Sequence, residues 1–265
     1  MILFQILQKY LPEKKISTSA KNFNWELGMV FSIFEIPQYS PNIFCFVKLL
    51  FEIGFKAFFW KKVYDIILLE YGIDHIWEMD FILSIAKPDV WIITKIDKVH
   101  SMKLKSPDII AHEKFKMIKA SKEIIFLNND DPYCQCYDNE KNIDCFVFST
   151  KIWEADINFQ NYEIFKEDET IKTSFELMLK WKKMAKVKSN LIWQENAWYI
   201  WIWLTLVDIF SYRFYKKSFL TENSDIDLDI QLQAWRFSTF RWIKWNIIFD
   251  SSYNASPMSM RRIID

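Results

Sequence analysis

Only three glycines, Gly28, Gly54 and Gly72, occur in 265 residues. Glycine reaches left-handed backbone without a Cβ penalty and lets two backbones approach closely. At ordinary usage of about 7 %, a chain of this length would hold roughly 19 of them. An α/β protein so poor in glycine has few ways to make tight left-handed turns. Tryptophan, normally scarce, is present 13 times. Together the two residues come close to the glycine number expected.

Short apolar runs alternate with amphipathic stretches at the spacing of βαβ units. Val63–Glu70 reads as a buried strand running into Tyr71-Gly72, and Glu78–Lys87 as a helix broken by Pro88. Val90–Thr94 is a second strand. Ser106-Pro107-Asp108 then supplies an N-cap, a proline at the first helical position and an acid in the first turn, opening a helix through Lys119. Ile124–Leu127 and Cys145–Phe148 are the third and fourth strands, the third ending at Asn128-Asn129-Asp130-Asp131-Pro132. Residues 153–188 are more polar and strand-like, as in a small peripheral antiparallel sheet. Glu195–Phe210 is a long buried helix and Asn246–Asp250 a late strand. The pattern predicts an α/β fold, a mostly parallel sheet with helices on both faces.

Lysine plus arginine and aspartate plus glutamate number 34 each, so the formal charge is zero and no basic footprint for nucleic acid exists. Hydrophobic residues make up 51 %, which is a globular composition. No run reaches the roughly 18 apolar residues of a membrane span, and the segment Ala197–Val207 stops at Asp208. The start of the chain lacks the basic region and cleavage site of a signal peptide. Four cysteines are too few for a disulfide framework here. A reducing cytoplasm is therefore expected.

In an open parallel sheet, ligands sit beyond the carboxyl ends of the strands. Glu70 closes the first strand and His100 lies in the loop after the second. A carboxylate and an imidazole so placed can share a hard cation such as Mg²⁺; the plain alternative is a helix-capping glutamate and a solvated loop histidine. Lys114 lies inside the helix opened by Ser106, where a solvated face is the ordinary explanation. Cys134, Cys136 and Cys145 lack a fourth ligand and zinc-site spacing. Trp198, Trp201 and Trp203 sit at helical spacing beside Ile200, Ile202 and Leu204, which fits a core face better than a membrane anchor.

Taken in order, these segments resemble the ATP-dependent Mur ligases of peptidoglycan synthesis. The carrying residues are Asn22-Phe23-Asn24 with Glu26-Leu27-Gly28, LLEYGIDHIWEMDFILSIAKPDVWIITKIDKVH at 68–100, SPDIIAHEK at 106–114, FLNNDD at 126–131, ENA at 195–197, AWRFS at 234–238 and DSSYNASPMSM at 250–260. They span nearly the whole chain. YNASP followed by SM is similar to the branch that joins D-alanyl-D-alanine to UDP-N-acetylmuramoyl-tripeptide through an acyl phosphate. The resemblance implies Glu70 as a Mg²⁺ ligand, His100 as the ligand of a second metal, and Lys114 as the lysine that several relatives carbamylate into an anionic ligand. It implies Asn196 at the adenine of ATP, Arg236 near its phosphates and Asp250 at its ribose. It implies residues 1–240 as the central ATP-binding domain and 241–265 as the start of a C-terminal ligase domain. The expected cofactors are ATP and Mg²⁺, the expected partners the two substrates, and the expected state a cytoplasmic monomer without nucleic acid or membrane span. Another amide ligase of the superfamily, including the folate polyglutamylating enzymes, and a non-catalytic ATPase-like interaction module are the alternatives.

Two departures from the family stand out. The phosphate loop G-x-x-G-K-[ST], with its preceding strand, has no counterpart; Met1–Leu7 corresponds to the helix that follows it, and an inactive fragment is therefore expected. Trp77, Trp91 and Trp235 stand where the family has glycine, and Trp193, Trp201, Trp203 and Trp242 look similar. Some bacterial lineages read UGA as glycine, so the expectation is that these are UGA codons translated as tryptophan. Trp91, in a strand covered on both faces, is expected to overfill the core.

Overall fold

Each apolar run identified above becomes a strand or a buried helix in the computed structural model, which describes residues 2–18, 26–36, 42–59, 64–96, 106–135, 143–149, 155–168, 170–180, 182–192, 194–222, 224–232, 238–241 and 247–250. In chain order the elements are α1 (Ile2–Tyr10), β1 (Ile16–Thr18), α2 (Glu26–Ile33), α3 (Ile43–Phe59), β2 (Ile66–Leu68), α4 (Glu78–Ile85), β3 (Val90–Ile93), α5 (Pro107–Ala120) and β4 (Ile124–Asn128). There follow α6 (Pro132–Gln135), β5 (Asp144–Phe148), β6 (Ile157–Glu167), β7 (Thr170–Leu179), β8 (Lys182–Ser189), α7 (Gln194–Tyr215), β9 (Ser224–Leu228), β10 (Ser238–Arg241) and β11 (Ile247–Asp250).

Seven strands form one sheet in the order β3-β4-β5-β6-β7-β8-β9. The pairings β3–β4, β4–β5, β5–β6 and β8–β9 are parallel, and β6–β7 and β7–β8 antiparallel. The polar 153–188 stretch is thus the antiparallel wing of the same sheet. β4 explains the parallel core: its first four residues are all buried, because helices cover both faces. Ile124 and Phe126 point to a cluster with α1 and α7. Their neighbours Ile125 and Leu127 point to one with α4 and α5. This is the period-two alternation of a strand. The wing strands are buried on one face only, as Thr173, Phe175 and Leu177 of β7 show by alternating with half-buried neighbours. α7 is apolar almost all round and accordingly lies in the larger core.

The strand read at Val63–Glu70 pairs in parallel with β1, Ile66 opposite Ile16, in a separate two-stranded sheet. β1, α2, α3 and β9 were not recognised from the sequence, and α7 runs five residues past Phe210. β10 and β11 form an antiparallel pair across the position where the sequence places a domain boundary.

Left-handed turns exist despite the scarcity of glycine, and other residues occupy them. Lys180, in the β7–β8 turn, has φ 46°, and Lys216, just past α7, has φ 56°. The Lys216 N–H donates to Tyr212 O at 2.9 Å, which closes the helix end. A Cβ in this conformation costs roughly 1–2 kcal/mol, partly offset by the greater unfolded-state freedom of glycine. Lys216→Gly is therefore expected to stabilise the chain by about 0.5–1 kcal/mol, read as a rise in Tm; a fall would show that the lysine side chain contributes contacts worth more than the strain.

Tryptophan is accommodated unevenly. Trp201 is wholly buried and its Nε1 donates to Met178 O at 2.9 Å. Trp91 does not overfill the core in the way its position implied. It lies half-buried, edge-on to Tyr71 with ring centroids 5.5 Å apart. The accommodation is incomplete, since the indole N–H groups of Trp91 and Trp198 are buried with no hydrogen-bond partner among the described residues, a costly arrangement.

Candidate active site

The carboxyl ends of β3, β4 and β5 lie side by side, and the Asn128–Asp131 segment ties them together. Asn128 donates from Nδ2 to Thr94 O at 2.8 Å, and its Oδ1 accepts from Asp130 N at 2.9 Å. Asn129 N donates to Phe148 O at 2.8 Å, and Ser149 Oγ donates to Asp130 Oδ1 at 2.6 Å. The buried Asp131 carboxylate accepts from Ile96 N at 2.6 Å and from Tyr133 N at 3.0 Å. Lys114, half-buried on α5, donates from Nζ to Lys95 O at 3.1 Å. Three successive residues leaving β3 are therefore each held at a backbone group, by Asn128, Lys114 and Asp131. These bonds fix the carboxyl edge of the parallel strands, the edge at which open α/β sheets bind ligands.

α5 is anchored at the same edge. Ser106 Oγ accepts from Asp108 N at 3.2 Å as the sequence predicts for an N-cap, and Tyr133 OH donates to Asp108 Oδ1 at 3.1 Å. The bonds from Ser106 and then Tyr133 hold the Asp108 carboxyl below its ordinary value. Cys134 contributes no thiolate here: burial pushes its thiol up to about 12, the Asp131 charge adds to this, and Lys114 opposes it only in part.

Glu70 follows β2 by two residues and is exposed. The turn beyond it is folded by Glu78. Its Oε2 accepts from the N–H groups of Asp74 and His75, the latter at 2.8 Å, while its Oε1 lies 2.5 Å from His75 Nδ1. Burial raises the Glu78 carboxyl, but the bonds from the His75 ring and the two N–H groups outweigh it and hold the group below its ordinary value. Sequence reading passed over Glu78, Asn128 and Asp131 as linking elements. An acid just before an apolar helix and an Asn/Asp cluster after a strand were the available signals.

The remaining expected site residues are placed as follows. Asn196 is in the first turn of α7 and half-buried. Asp250 ends β11, its backbone paired with Ser238. His100 and Arg236 lie outside the described residues, and with them the expected approach of His100 to Glu70. Among the described residues no cluster of three or more His, Cys, Asp or Glu could hold a metal ion. Glu70 alone still fits Mg²⁺, a cation that keeps several waters and is bound through one or two carboxylates together with substrate phosphates. No helix among the described residues is long and apolar enough to cross a membrane.

Comparison with known proteins matches residues 51–198 to the Mur ligase middle domain, more than half of the chain. The UDP-N-acetylmuramoyl-tripeptide--D-alanyl-D-alanine ligase of Borreliella burgdorferi is 37 % identical over 67 residues, which is 25 % of this chain and 14 % of that protein. MurF from Acinetobacter baumannii superimposes with a TM-score of 0.66 at 17 % identity, over 98 % of this chain and 50 % of that one. MurF ligase from Thermotoga maritima in complex with ADP gives 0.55 at 18 % identity, over 99 % and 59 %. At these identities the solved structures establish the fold alone, and the chain spans about half of their length.

Proposed function

The chain belongs to the Mur ligase family, and from that premise we propose that the full-length protein is an ATP-dependent amide ligase that adds D-alanyl-D-alanine to UDP-N-acetylmuramoyl-tripeptide in the cytoplasm. The observation that carries the substrate choice is the 37 % identity to a ligase of that name, supported by the YNASP and SM segment at 253–260. In this reading residues 1–240 form the central domain and 241–265 open the C-terminal one.

The reaction transfers the γ-phosphoryl of ATP to the tripeptide carboxylate, giving an acyl phosphate and ADP. The amine of D-alanyl-D-alanine then attacks the acyl carbon, phosphate leaves, and the amine gives up a proton as the amide forms. Little covalent chemistry falls to the protein, whose task is positioning and electrostatics. Glu70 would hold Mg²⁺ together with His100 and Lys114, the lysine serving as an anionic ligand if carbamylated. When bound, the cation would supply neutralisation of phosphoryl charge. Asn196, Arg236 and Asp250 would engage adenine, phosphates and ribose. Asn128, Asp131 and Lys114 hold the end of β3, which in this reading would flank the site.

The test is phosphate release by the purified full-length protein. Release is expected only when ATP, the UDP-linked tripeptide and D-alanyl-D-alanine are all present, with one amide formed per ADP. Equal turnover with a single amino acid in place of the dipeptide would move the protein to another branch of the family.

A further inference from the structure

Just past the carboxyl end of β9, the backbone is gripped by two side-chain amides. Asn190 donates from Nδ2 to Ile230 O at 2.8 Å, and its Oδ1 accepts from Ile230 N at 2.9 Å. Gln5 repeats the arrangement at the next residue, with Nε2 donating to Gln231 O and Oε1 accepting from Gln231 N, both at 2.9 Å. Along a strand, successive residues turn their N–H and C=O groups to opposite sides. The bonds of Asn190 and Gln5 continue that pattern, each amide standing where a neighbouring strand would be. All four backbone groups of Ile230 and Gln231 are satisfied in this way. Reciprocal bonds of this kind fix register as well as proximity.

The two amides come from 40 and 226 residues away in the chain. Asn190 directly follows β8, which is parallel to β9 and, across the antiparallel β7, parallel to β6 and β5 as well. The clamp therefore lies on the same carboxyl edge as Asn128 and Asp131. From Asn190 the chain is held step by step toward α7: Leu191 N donates to Ser189 Oγ at 3.1 Å, Thr173 Oγ1 donates to Leu191 O at 3.0 Å, and Tyr162 OH donates to Ile192 O. Asn196 stands in the first turn of that helix. Gln5 stands in the first turn of α1, and Lys9 ties α1 to β9 again by donating from Nζ to Asp227 O. The sequence continues from Gln231 to Arg236.

We propose that Gln5 and Asn190 are positioning residues of the nucleotide site, which register the start of α7, with Asn196, against the start of α1. The proposal rests on the ligase reading above, in which Asn196 engages adenine while Arg236 and the loop before α1 engage phosphates. A nucleotide is held at both ends at once, so its affinity depends on the spacing of the two contacts as well as on each contact alone. Neither amide has to touch the ligand; each sets the backbone that spaces the contacts. A purely structural role fits less well. Gln5 and Asn190 are only half-buried and Gln231 is exposed, and hydrogen bonds at so wet a junction add modestly to stability.

Calorimetric titration of the full-length protein with ADP and with tripolyphosphate, each with Mg²⁺, tests this. In Gln5→Ala and in Asn190→Ala the Kd of ADP and the KM of ATP should rise by about 10-fold, because the aligned arrangement is then populated only in part. The kcat should stay within about twofold, as for lost uniform binding. Tripolyphosphate reaches the phosphate contacts alone, and its Kd should match that of the wild type. Alanine forms helix at least as well as glutamine, so Gln5→Ala keeps α1 folded and separates the proposal from misfolding. Unchanged ADP affinity in Gln5→Ala would overturn the proposal, as would an equal loss for ADP and tripolyphosphate, the mark of general damage. A wild type that binds neither ligand overturns the ligase reading and this proposal with it.

Discussion

Replacing Glu70 with alanine in the full-length protein is expected to lower turnover by about 10³-fold or more while Tm moves by no more than a degree or two. The asymmetry follows from where the residue sits. Glu70 is exposed beyond the end of β2, so its removal opens no cavity and exposes no apolar surface. A carboxylate that positions Mg²⁺ on transferring phosphates acts most strongly as charge redistributes in the transition state, and its loss therefore appears in kcat. A glutamate serving only to order its turn would give the reverse, lower stability with turnover spared. Glu78 is the internal comparison, because its buried carboxylate holds the Asp74 and His75 N–H groups. Glu78→Gln should lower Tm, and this contribution has a definite pH sign. A carboxyl held below its ordinary value in the fold stabilises at pH above its unfolded value and loses that effect as pH falls through the folded one. The Tm difference between wild type and Glu78→Gln should thus close on acidification. Near-normal turnover in Glu70→Ala would remove Glu70 from the site.

The parallel half of the sheet was legible because its strands are short apolar runs between turn signals, and α5 because Ser106, Pro107 and Asp108 mark its start. The sequence pointed to the carboxyl ends of the strands as the place to look, but it set the strand ending at Glu70 beside the one that follows, whereas β2 pairs with β1 in a separate sheet. What ties that edge together was not legible. Asp131 meets Ile96 across 35 residues, and Asn128 meets Thr94 across 34. Contacts of that separation leave no local periodicity. β1 escaped notice because three residues, Ile16–Thr18, carry too short an alternation. α3 escaped although a local signal was there, Asn42 capping its start by accepting at Oδ1 from Cys45 N at 2.8 Å. The family resemblance supplied roles for Asn196, Arg236 and Asp250 that no spacing in the chain could have supplied.

Trp201→Gly separates two histories of the same chain. In the fold described here Trp201 is wholly buried in α7, and its indole N–H is the partner of Met178 O. Deleting so large a buried side chain costs about 3–5 kcal/mol through lost burial and the cavity left behind. Glycine within a helix adds about 1 kcal/mol, so Tm should fall by about 10 °C or more. Trp77 offers the control. It stands at the N-cap of α4 without a side-chain capping bond and is 62 % exposed, and glycine is well tolerated at that position. Trp77→Gly should therefore leave Tm within about 1 °C. If codon 201 is UGA and the cell inserts glycine, the helices and strands around α7 evolved against a residue without a side chain, and Trp201→Gly should melt at or above the temperature of the tryptophan form. The melting order of the two proteins, read beside the codon itself, decides which residue the core was shaped around.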